Sequence, residues 1–150
     1  MISAFQNAGI RIGKIHLSSA LQVAPDEAGR TWLQRFANDT YLHQVIARTR
    51  DGSLHRYMDL DLALGQQAKE DVWRIHFHVP LYATSLEHGQ TTMEHLLDLL
   101  AILKQNPNLC SHLEIETYTW DVLPMELRAN TAVDQLVQEY KWCFDQLGKT

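Results

Sequence analysis

The chain has 150 residues, 45% of them hydrophobic, which is enough for one globular domain with a buried core. The formal net charge is −5 and no segment concentrates Lys and Arg, so neither a nucleic-acid surface nor a polybasic membrane patch is expected. No segment approaches the roughly 18 uncharged apolar residues of a membrane span, and the first residues lack the charged and then apolar order of a secretory signal peptide. We therefore expect a single cytoplasmic domain over 1–150, with Cys110 and Cys143 as reduced thiols.

Strand-like and helix-like segments alternate along the whole chain. Short runs rich in β-branched and aromatic residues predict strands, and runs with an apolar residue at every third or fourth position predict helices. In chain order, the predicted elements are a strand over 10–18, a helix beginning at Pro25, a hairpin of 41–50 with 53–58, a short helix over 60–68, a strand over 72–80, a helix over 91–105, a strand over 112–120, and a helix from about Pro124 to Gly148.

Local signals set several boundaries of these elements. Asp51-Gly52 lies between two β-prone runs and is typical of a type I′ hairpin turn, in which both central residues have positive φ. Pro25 precedes two acidic residues, which is the usual composition of a first helical turn. Thr91 or Thr92 can cap the helix that follows.

Helices of about 12–15 residues between strands predict parallel pairing through crossover connections. The strands over 10–18, 72–80 and 112–120 are therefore expected to lie parallel, which gives an α/β fold class. A closed eight-stranded barrel needs about 250 residues, so this chain is short for a complete one.

Each of these three strands has one apolar face and one titratable face, because side chains alternate across a strand. On the second strand, Ile75, Phe77 and Val79 form the apolar face. An ordinary parallel strand is apolar on both faces, so the titratable faces are expected to line a wet cavity, hold a metal or pair internally. They carry Lys14 and His16 on the first strand, Arg74, His76 and His78 on the second, and Glu114, Glu116 and Tyr118 on the third.

Two of these residues lie closest to the carboxyl ends of their strands, where barrel enzymes carry their functional groups: His78 and Glu116. Imidazole nitrogens and a carboxylate from neighbouring strands suit a divalent metal such as Zn²⁺ or Mn²⁺. Such an ion acts as a Lewis acid on a hydroxy-carbonyl substrate. A solvated polar face, or an ion-pair network of Lys14 and Arg74 with the glutamates, explains the same pattern without a metal.

Aromatic and histidine side chains outside these faces receive simpler interpretations. His43 and His55 belong to the hairpin and are expected at the surface, whereas Trp73 is expected in the core. Tyr118 and Trp120 either line a substrate pocket or serve in packing.

Four segments together resemble a known family: GIRIGKIHLSSAL, YLHQVIAR with DGSLHRYMDL, WRIHFHVPLY, and HLEIETYTWDVLP. They resemble the C-terminal part of the EboE-type metabolite traffic proteins, which are similar to the xylose isomerase-like, sugar phosphate isomerase/epimerase TIM-barrel superfamily. The resemblance spans nearly the whole chain. It implies a partial (β/α) TIM barrel, whose last three strands are 10–18, 72–80 and 112–120 and which carries an inserted β-hairpin.

The resemblance also implies roles for individual residues. The metal ligands would be His16, His78 and Glu116, with Glu116 as the catalytic carboxylate and Zn or Mn as the ion. Apart from the resemblance, we expect a small-molecule metabolite to be bound by Lys14, Arg74, His76, Tyr118 and Trp120. Earlier strands of such barrels supply further ligands, so we expect either the end of a longer product or self-association of a partial barrel, whose open edges are liabilities.

Three functions are compatible with these patterns. The first is a metal-dependent isomerase or epimerase, with proton transfer next to a carbonyl. The second is a non-catalytic metabolite-binding or traffic protein, and the third is an inactive truncated fragment.

Overall fold

The structure is a computed structural model that describes residues 2–37, 40–116 and 119–149. In these segments no helix is long and apolar enough to cross a lipid bilayer. The α-helices are α1 (Ile2–Asn7), α2 (Glu27–Leu33), α3 (Leu60–Leu64), α4 (Met93–Gln105) and α5 (Ala132–Leu147). The strands are β1 (Ile15–Leu17), β2 (Ser19–Val23), β3 (Val45–Arg48), β4 (Leu54–Tyr57), β5 (Val72–Val79), β6 (Ser85–Leu86), β7 (Gly89–Thr91) and β8 (Leu113–Ile115). Single 3₁₀ turns lie at Gln34–Phe36, Trp120–Val122 and Met125–Leu127.

A parallel unit is formed by β1, α4, β8 and α5. β1 pairs parallel with β8, with Ile15 opposite Leu113 and Leu17 opposite Ile115. Because α4 lies between the two strands in the chain, β1, α4 and β8 have the order of a βαβ crossover. The unit has its own apolar cluster of buried residues: Leu17, Leu81, Leu96, Leu100, Leu103, Cys110 and Cys143. Both cysteines are buried free thiols.

An antiparallel unit, β2 to β7 with α2 and α3, is inserted between β1 and α4. Its six strands lie in the order β4-β3-β5-β2-β7-β6, and each neighbouring pair is antiparallel. Trp73, Ile75 and Phe77 of β5 are fully buried in its core, so Trp73 is a core residue as predicted. Together the two units make a mixed α/β fold, and the predicted α/β class is confirmed at that level.

The insertion leaves and rejoins the parallel unit at one place. The N–H of Ala20 donates to Thr92 Oγ1 at 2.9 Å, and the N–H of Thr92 donates to the carbonyl of Ala20, also at 2.9 Å. The first residues of β2 are therefore hydrogen-bonded to the residue that precedes α4. Residues 19–91 begin and end side by side.

The predicted parallel arrangement of the strand over 72–80 is wrong. β5 pairs antiparallel with β2 and β3, and the described residues form no closed barrel. The physical reason lies in β2, an unpredicted strand that follows β1 after Ser18 and lies directly beside β5. Arg74 and His76 on the outer face of β5 are exposed, which an antiparallel sheet tolerates because one of its faces can meet water.

The predicted hairpin is confirmed, but its turn differs from the prediction. β3 and β4 pair antiparallel, with Val45 opposite Tyr57. Gly52 has a φ of 88°, whereas Asp51 does not have a positive φ, so the turn is not type I′. The connection is the longer loop 49–53, in which the Asp51 carboxylate accepts the N–H of Ser53 at 3.0 Å.

Local signals placed some helix boundaries correctly: α3 begins at Leu60 and α4 ends at Gln105 as predicted, whereas α3 ends at Leu64 rather than at 68. Asp26 caps α2 by accepting the N–H of Gly29 at 2.8 Å, and the helices predicted over 60–68 and 91–105 are present as α3 and α4. The last helix begins at Ala132 rather than at Pro124. Thr131 accepts the N–H of Asp134 at 3.0 Å, and this cap fixes the later start.

Candidate functional site

The carboxyl ends of β1, β5 and β8 meet where the two units join. β1 ends beside β8, with Leu17 opposite Ile115. β5 arrives from the opposite direction and ends with Val79 opposite Ser19, the first residue after the break between β1 and β2. The strand ends therefore converge, as was expected at the mouth of a barrel. They do so through one parallel pairing, of β1 with β8, and one antiparallel pairing, of β2 with β5.

We call His16, His76, His78 and Glu116 the junction site. Glu116 Oε1 lies 3.8 Å from His16 Nδ1, and Glu116 Oε2 lies 3.7 Å from His78 Nδ1. The side chains of His16 and Glu116 are 43% exposed, whereas that of His78 is 6% exposed. One carboxylate thus lies between an imidazole that is open to solvent and one that is buried.

These distances can be compared with those of a metal shell. The ligand atoms of one tetrahedral zinc, each ~2.0–2.1 Å from the ion, lie roughly 3.3–3.4 Å apart. The pairs that Glu116 makes with His16 and His78 are a few tenths of an ångström wider. Within residues 2–37, 40–116 and 119–149, no group of three or more His, Cys, Asp or Glu side chains is arranged to hold a metal ion. The predicted ligands are brought together, but not into a closed cage.

His76 and His78 lie next to each other on the outer face of β5. Their Nε2 atoms are 3.0 Å apart, and the ring centroids are 5.1 Å apart. Burial lowers the pKa of His78, and the adjacent His76 lowers it further, so His78 is neutral at pH 7. When His78 donates its Nε2 proton to His76, its Nδ1 presents a lone pair toward Glu116. When His76 donates instead, His78 Nδ1 carries the proton.

Lys14 and Arg74 do not form the predicted common network with the glutamates. Lys14 Nζ lies 2.7 Å from Glu114 Oε2, and this hydrogen bond holds the pKa of Glu114 below its usual range. Arg74 turns away, because its Nε donates to Gln22 Oε1 at 2.8 Å and its Nη2 lies 3.0 Å from His95 Nε2. The predicted ion pairing is therefore limited to Lys14 with Glu114. Glu116 faces the histidines instead.

The segment after β8 borders the junction site. Tyr118 lies outside the described residues. Trp120 stacks under the guanidinium of Arg128, whose Cζ is 5.6 Å from the ring centroid. Its indole Nε1 is buried without a hydrogen-bond partner in the described part of the chain. The buried Thr119 hydroxyl donates to the carbonyl of His78 at 2.7 Å. Thr119 ties this segment to β5, and no signal in the sequence marks it for that role.

His43 is buried against the strand that carries His76 and His78, which the sequence did not predict. It was expected at the surface, but it is fully buried, and burial lowers its pKa. Its Nδ1 lies 3.3 Å from the carbonyl oxygen of His76, and its ring centroid is 4.7 Å from that of Phe77. His55 is at the surface as predicted, with its side chain 53% exposed and bonded to Glu70.

In comparisons with protein-family models, with curated proteins and with solved structures, nothing matches this chain. The resemblance to the EboE-type proteins therefore stays a prediction. The roles assigned to Lys14, Arg74, His76 and Trp120 stay predictions as well.

Proposed function

We propose that this chain binds a divalent metal, Zn²⁺ or Mn²⁺, at His16, His78 and Glu116, and that it acts in the handling of a small metabolite in the cytoplasm. One observation carries the proposal. The two carboxylate oxygens of Glu116 each face the Nδ1 of a different histidine, at 3.8 and 3.7 Å. Imidazole nitrogen and carboxylate oxygen are the donors that Zn²⁺ and Mn²⁺ accept.

In this proposal His76 positions His78 rather than binding the metabolite. A histidine that ligates a metal usually donates its other ring N–H to a neighbouring group, which fixes its tautomer. The 3.0 Å contact between the Nε2 atoms of His76 and His78 provides that acceptor. His78 is then neutral and directs its Nδ1 lone pair toward Glu116.

The proposal extends to the finer fold. We interpret the parallel unit as part of a xylose isomerase-like TIM barrel, because β1, α4 and β8 have the βαβ order and the parallel register of such a barrel. The antiparallel unit then takes the place of the expected inserted hairpin. β5 belongs to the insertion, and it brings His76 and His78 to the barrel strands from outside.

The chemistry that fits is an isomerase or epimerase reaction on a sugar or sugar phosphate. His16, His78 and Glu116 would hold the divalent ion, which would supply Lewis acidity toward the carbonyl and hydroxyl oxygens of such a substrate. Glu116 is 43% exposed, so a substrate can reach its carboxylate, which moves a proton beside the carbonyl. Lys14 precedes β1 and Trp120 follows β8, and both are candidate contacts to the metabolite.

The test is metal binding by the chain after purification without chelators. We expect elemental analysis to find close to one equivalent of transition metal, and calorimetry to show at least roughly 100-fold weaker binding for His16→Ala. The matched control is His88→Ala, because His88 Nε2 lies 3.7 Å from Glu87 Oε1 in an exposed pair elsewhere. Equal binding by the two variants, or less than about a tenth of an equivalent in the unaltered chain, contradicts the proposal.

Glu116→Gln separates catalysis from binding alone. If Glu116 moves the proton, the variant loses turnover of the metabolite along with the metal. A metabolite that binds Glu116→Gln as tightly as it binds the unaltered chain indicates the non-catalytic traffic function instead. Native mass spectrometry with candidate sugar phosphates measures this difference directly.

A further inference from the structure

Helix α5 carries a row of apolar side chains, most of which are exposed to solvent. Val133, Val137, Tyr140 and Phe144 are 68%, 45%, 44% and 48% exposed. Their spacing of four, three and four residues continues to the partly buried Leu147. This is the spacing of a helix face that packs against another helix. We call these five side chains the α5 stripe.

The buried face of α5 points elsewhere. Gln135, Glu139 and Cys143 are its buried residues, and Cys143 belongs to the core of the parallel unit. Successive residues of a helix are rotated by about 100°, so the α5 stripe lies beside this face rather than on it. α5 therefore has one face that is buried against the parallel unit and, beside it, an apolar stripe that is largely exposed.

Two charges on one flank of the α5 stripe indicate what covers it. Asp134 and Lys141 are both exposed and lie seven residues apart, so they occupy the same flank, about 10 Å apart along the axis. In an antiparallel pair of two α5 helices centred near Gln138, Asp134 of each copy faces Lys141 of the other. A parallel pair in register offers these charges no such partner, because the opposite flank carries the uncharged Leu136 and Cys143.

We propose that α5 pairs antiparallel with α5 of a second copy of this chain, with the α5 stripe at the centre and two symmetric Asp134–Lys141 ion pairs at its edge. Such a two-fold pair is closed, because the same surface is used by both copies. One helix face buries less than the ~800 Å² per partner of a standard interface. The dimer is therefore weak and forms in a concentration-dependent manner. This inference is independent of the proposed metal site.

Charge reversal tests the geometry, with sedimentation equilibrium of the full chain as the measurement. We expect Asp134→Lys and Lys141→Glu, each alone, to weaken dimerisation by roughly tenfold, because each sets like charges opposite each other. The double variant Asp134→Lys/Lys141→Glu restores both ion pairs and the dimer. An equal mixture of the two single variants forms the mixed dimer in preference to either homodimer.

The apolar stripe has a test of its own. Val137→Glu should abolish the dimer, whereas Leu62→Glu, a matched change at a 56% exposed leucine of α3, should leave it intact. Circular dichroism confirms that each variant is folded, which matters for Asp134→Lys because Asp134 bonds the cap of α5. A chain that stays monomeric over about a hundredfold range of concentration overturns the proposal. So does a dimer that neither Val137→Glu nor the charge reversals affect.

Discussion

The antiparallel and parallel units each bury one glutamate, and the two carboxyl groups behave in opposite ways. In the antiparallel unit the side chain of Glu70 is 2% exposed. It accepts hydrogen bonds from His55 Nδ1 at 2.8 Å, the Tyr57 hydroxyl at 3.0 Å, the N–H of Lys69 at 3.1 Å and Trp73 Nε1 at 3.4 Å. Burial alone raises the pKa of Glu70, but these bonds outweigh it and lower the pKa to about 2.

The parallel unit treats Glu139 differently. This residue of α5 is 2% exposed, and its Oε1 accepts the N–H of Leu81 at 3.0 Å. Its Oε2 has no hydrogen-bond partner among the described residues. Burial raises the pKa of Glu139 to about 7, against the opposing effect of the Leu81 bond. Burial, and after it the nearby Glu139 carboxylate, raises the pKa of Cys143 to about 11.

The comparison shows that the number of donors, rather than burial, decides whether a buried carboxyl stays ionised. Glu70 accepts hydrogen bonds from four donors, and with its pKa lowered to about 2 it is ionised at neutral pH. Glu139 has one donor and gains a proton near neutral pH. The antiparallel unit therefore contains a buried carboxylate, Glu70, whose oxygens accept four hydrogen bonds. The parallel unit contains a buried carboxyl group, Glu139, whose ionisation lowers the stability of the fold.

The largest effect on stability is expected when the Glu70 carboxylate is removed. Glu70→Ala leaves Trp73, Tyr57 and His55 without their acceptor, and it should lower the free energy of unfolding by about 4 kcal/mol. Urea unfolding measures this loss. The exposed Glu94 of α4 serves as the control, and Glu94→Ala should lose less than about 0.5 kcal/mol. Similar losses for both variants would show that the donors around Glu70 do not matter to stability.

The second effect concerns pH. The pKa of Glu139 is raised from an ordinary 4.5 to about 7 in the folded chain, so its contribution to stability is fully present below pH 4.5 and is lost as the pH rises through 7. Between pH 5 and 8 this group should remove about 3 kcal/mol from the free energy of unfolding. Glu139→Gln keeps the acceptor for Leu81 and removes the ionisation. Its stability should not show this loss, and a parallel pH profile for the two proteins would rule out the assignment.

The smallest effect lies between the units, at Thr119. Thr119→Val removes the hydroxyl that donates to the His78 carbonyl while keeping the shape of the side chain. We expect a loss of about 1 kcal/mol in unfolding free energy. Hydrogen exchange should show faster opening at the end of β5 than in its middle. Uniform acceleration along β5 would mean that this hydrogen bond does not join the two units locally.

Local chemistry was readable from the sequence, because caps and turns depend on neighbouring residues. The hairpin around Gly52 and the end of α5 at Gly148 are where the patterns placed them, and α2 begins at Glu27, two residues after the predicted start at Pro25. The start of α5 was misplaced because Pro124 also suits a first helical turn and begins a 3₁₀ turn instead.

Pairing partners were not readable in the same way. The alternation of β5 was correctly read as a strand with one polar face, but that face was assigned to a barrel cavity. The antiparallel alternative needed β2, which follows β1 after Ser18 and was hidden in a supposed loop. His43 was assigned to the surface because only the tertiary structure brings the residues before β3 against β5. Neither Glu70 nor Glu139 could be distinguished from surface glutamates, since most of their donors are side chains distant in sequence or backbone groups.

At the junction site a correct prediction of where strands end coincides with a wrong prediction of how they pair. His78 and Glu116 were chosen because they lie near strand ends, and His16 was added by the family resemblance; those strand ends do meet. The reason is different from the one expected, because a single break between β1 and β2 lets one long stretch of chain pair with β8 on one side and β5 on the other.

The hydrogen bonds between Ala20 and Thr92 have a consequence for modularity. Because residues 19–91 leave and rejoin the parallel unit at adjacent points, the βαβ connection spans the same gap with or without them. Insertions whose ends lie side by side can be gained, lost or exchanged without redirecting the chain that hosts them. The antiparallel sheet is in this sense an insertion with adjacent ends, and it brings to its host the pair of histidines at the end of β5 and, just after them, Leu81 in the core of the parallel unit.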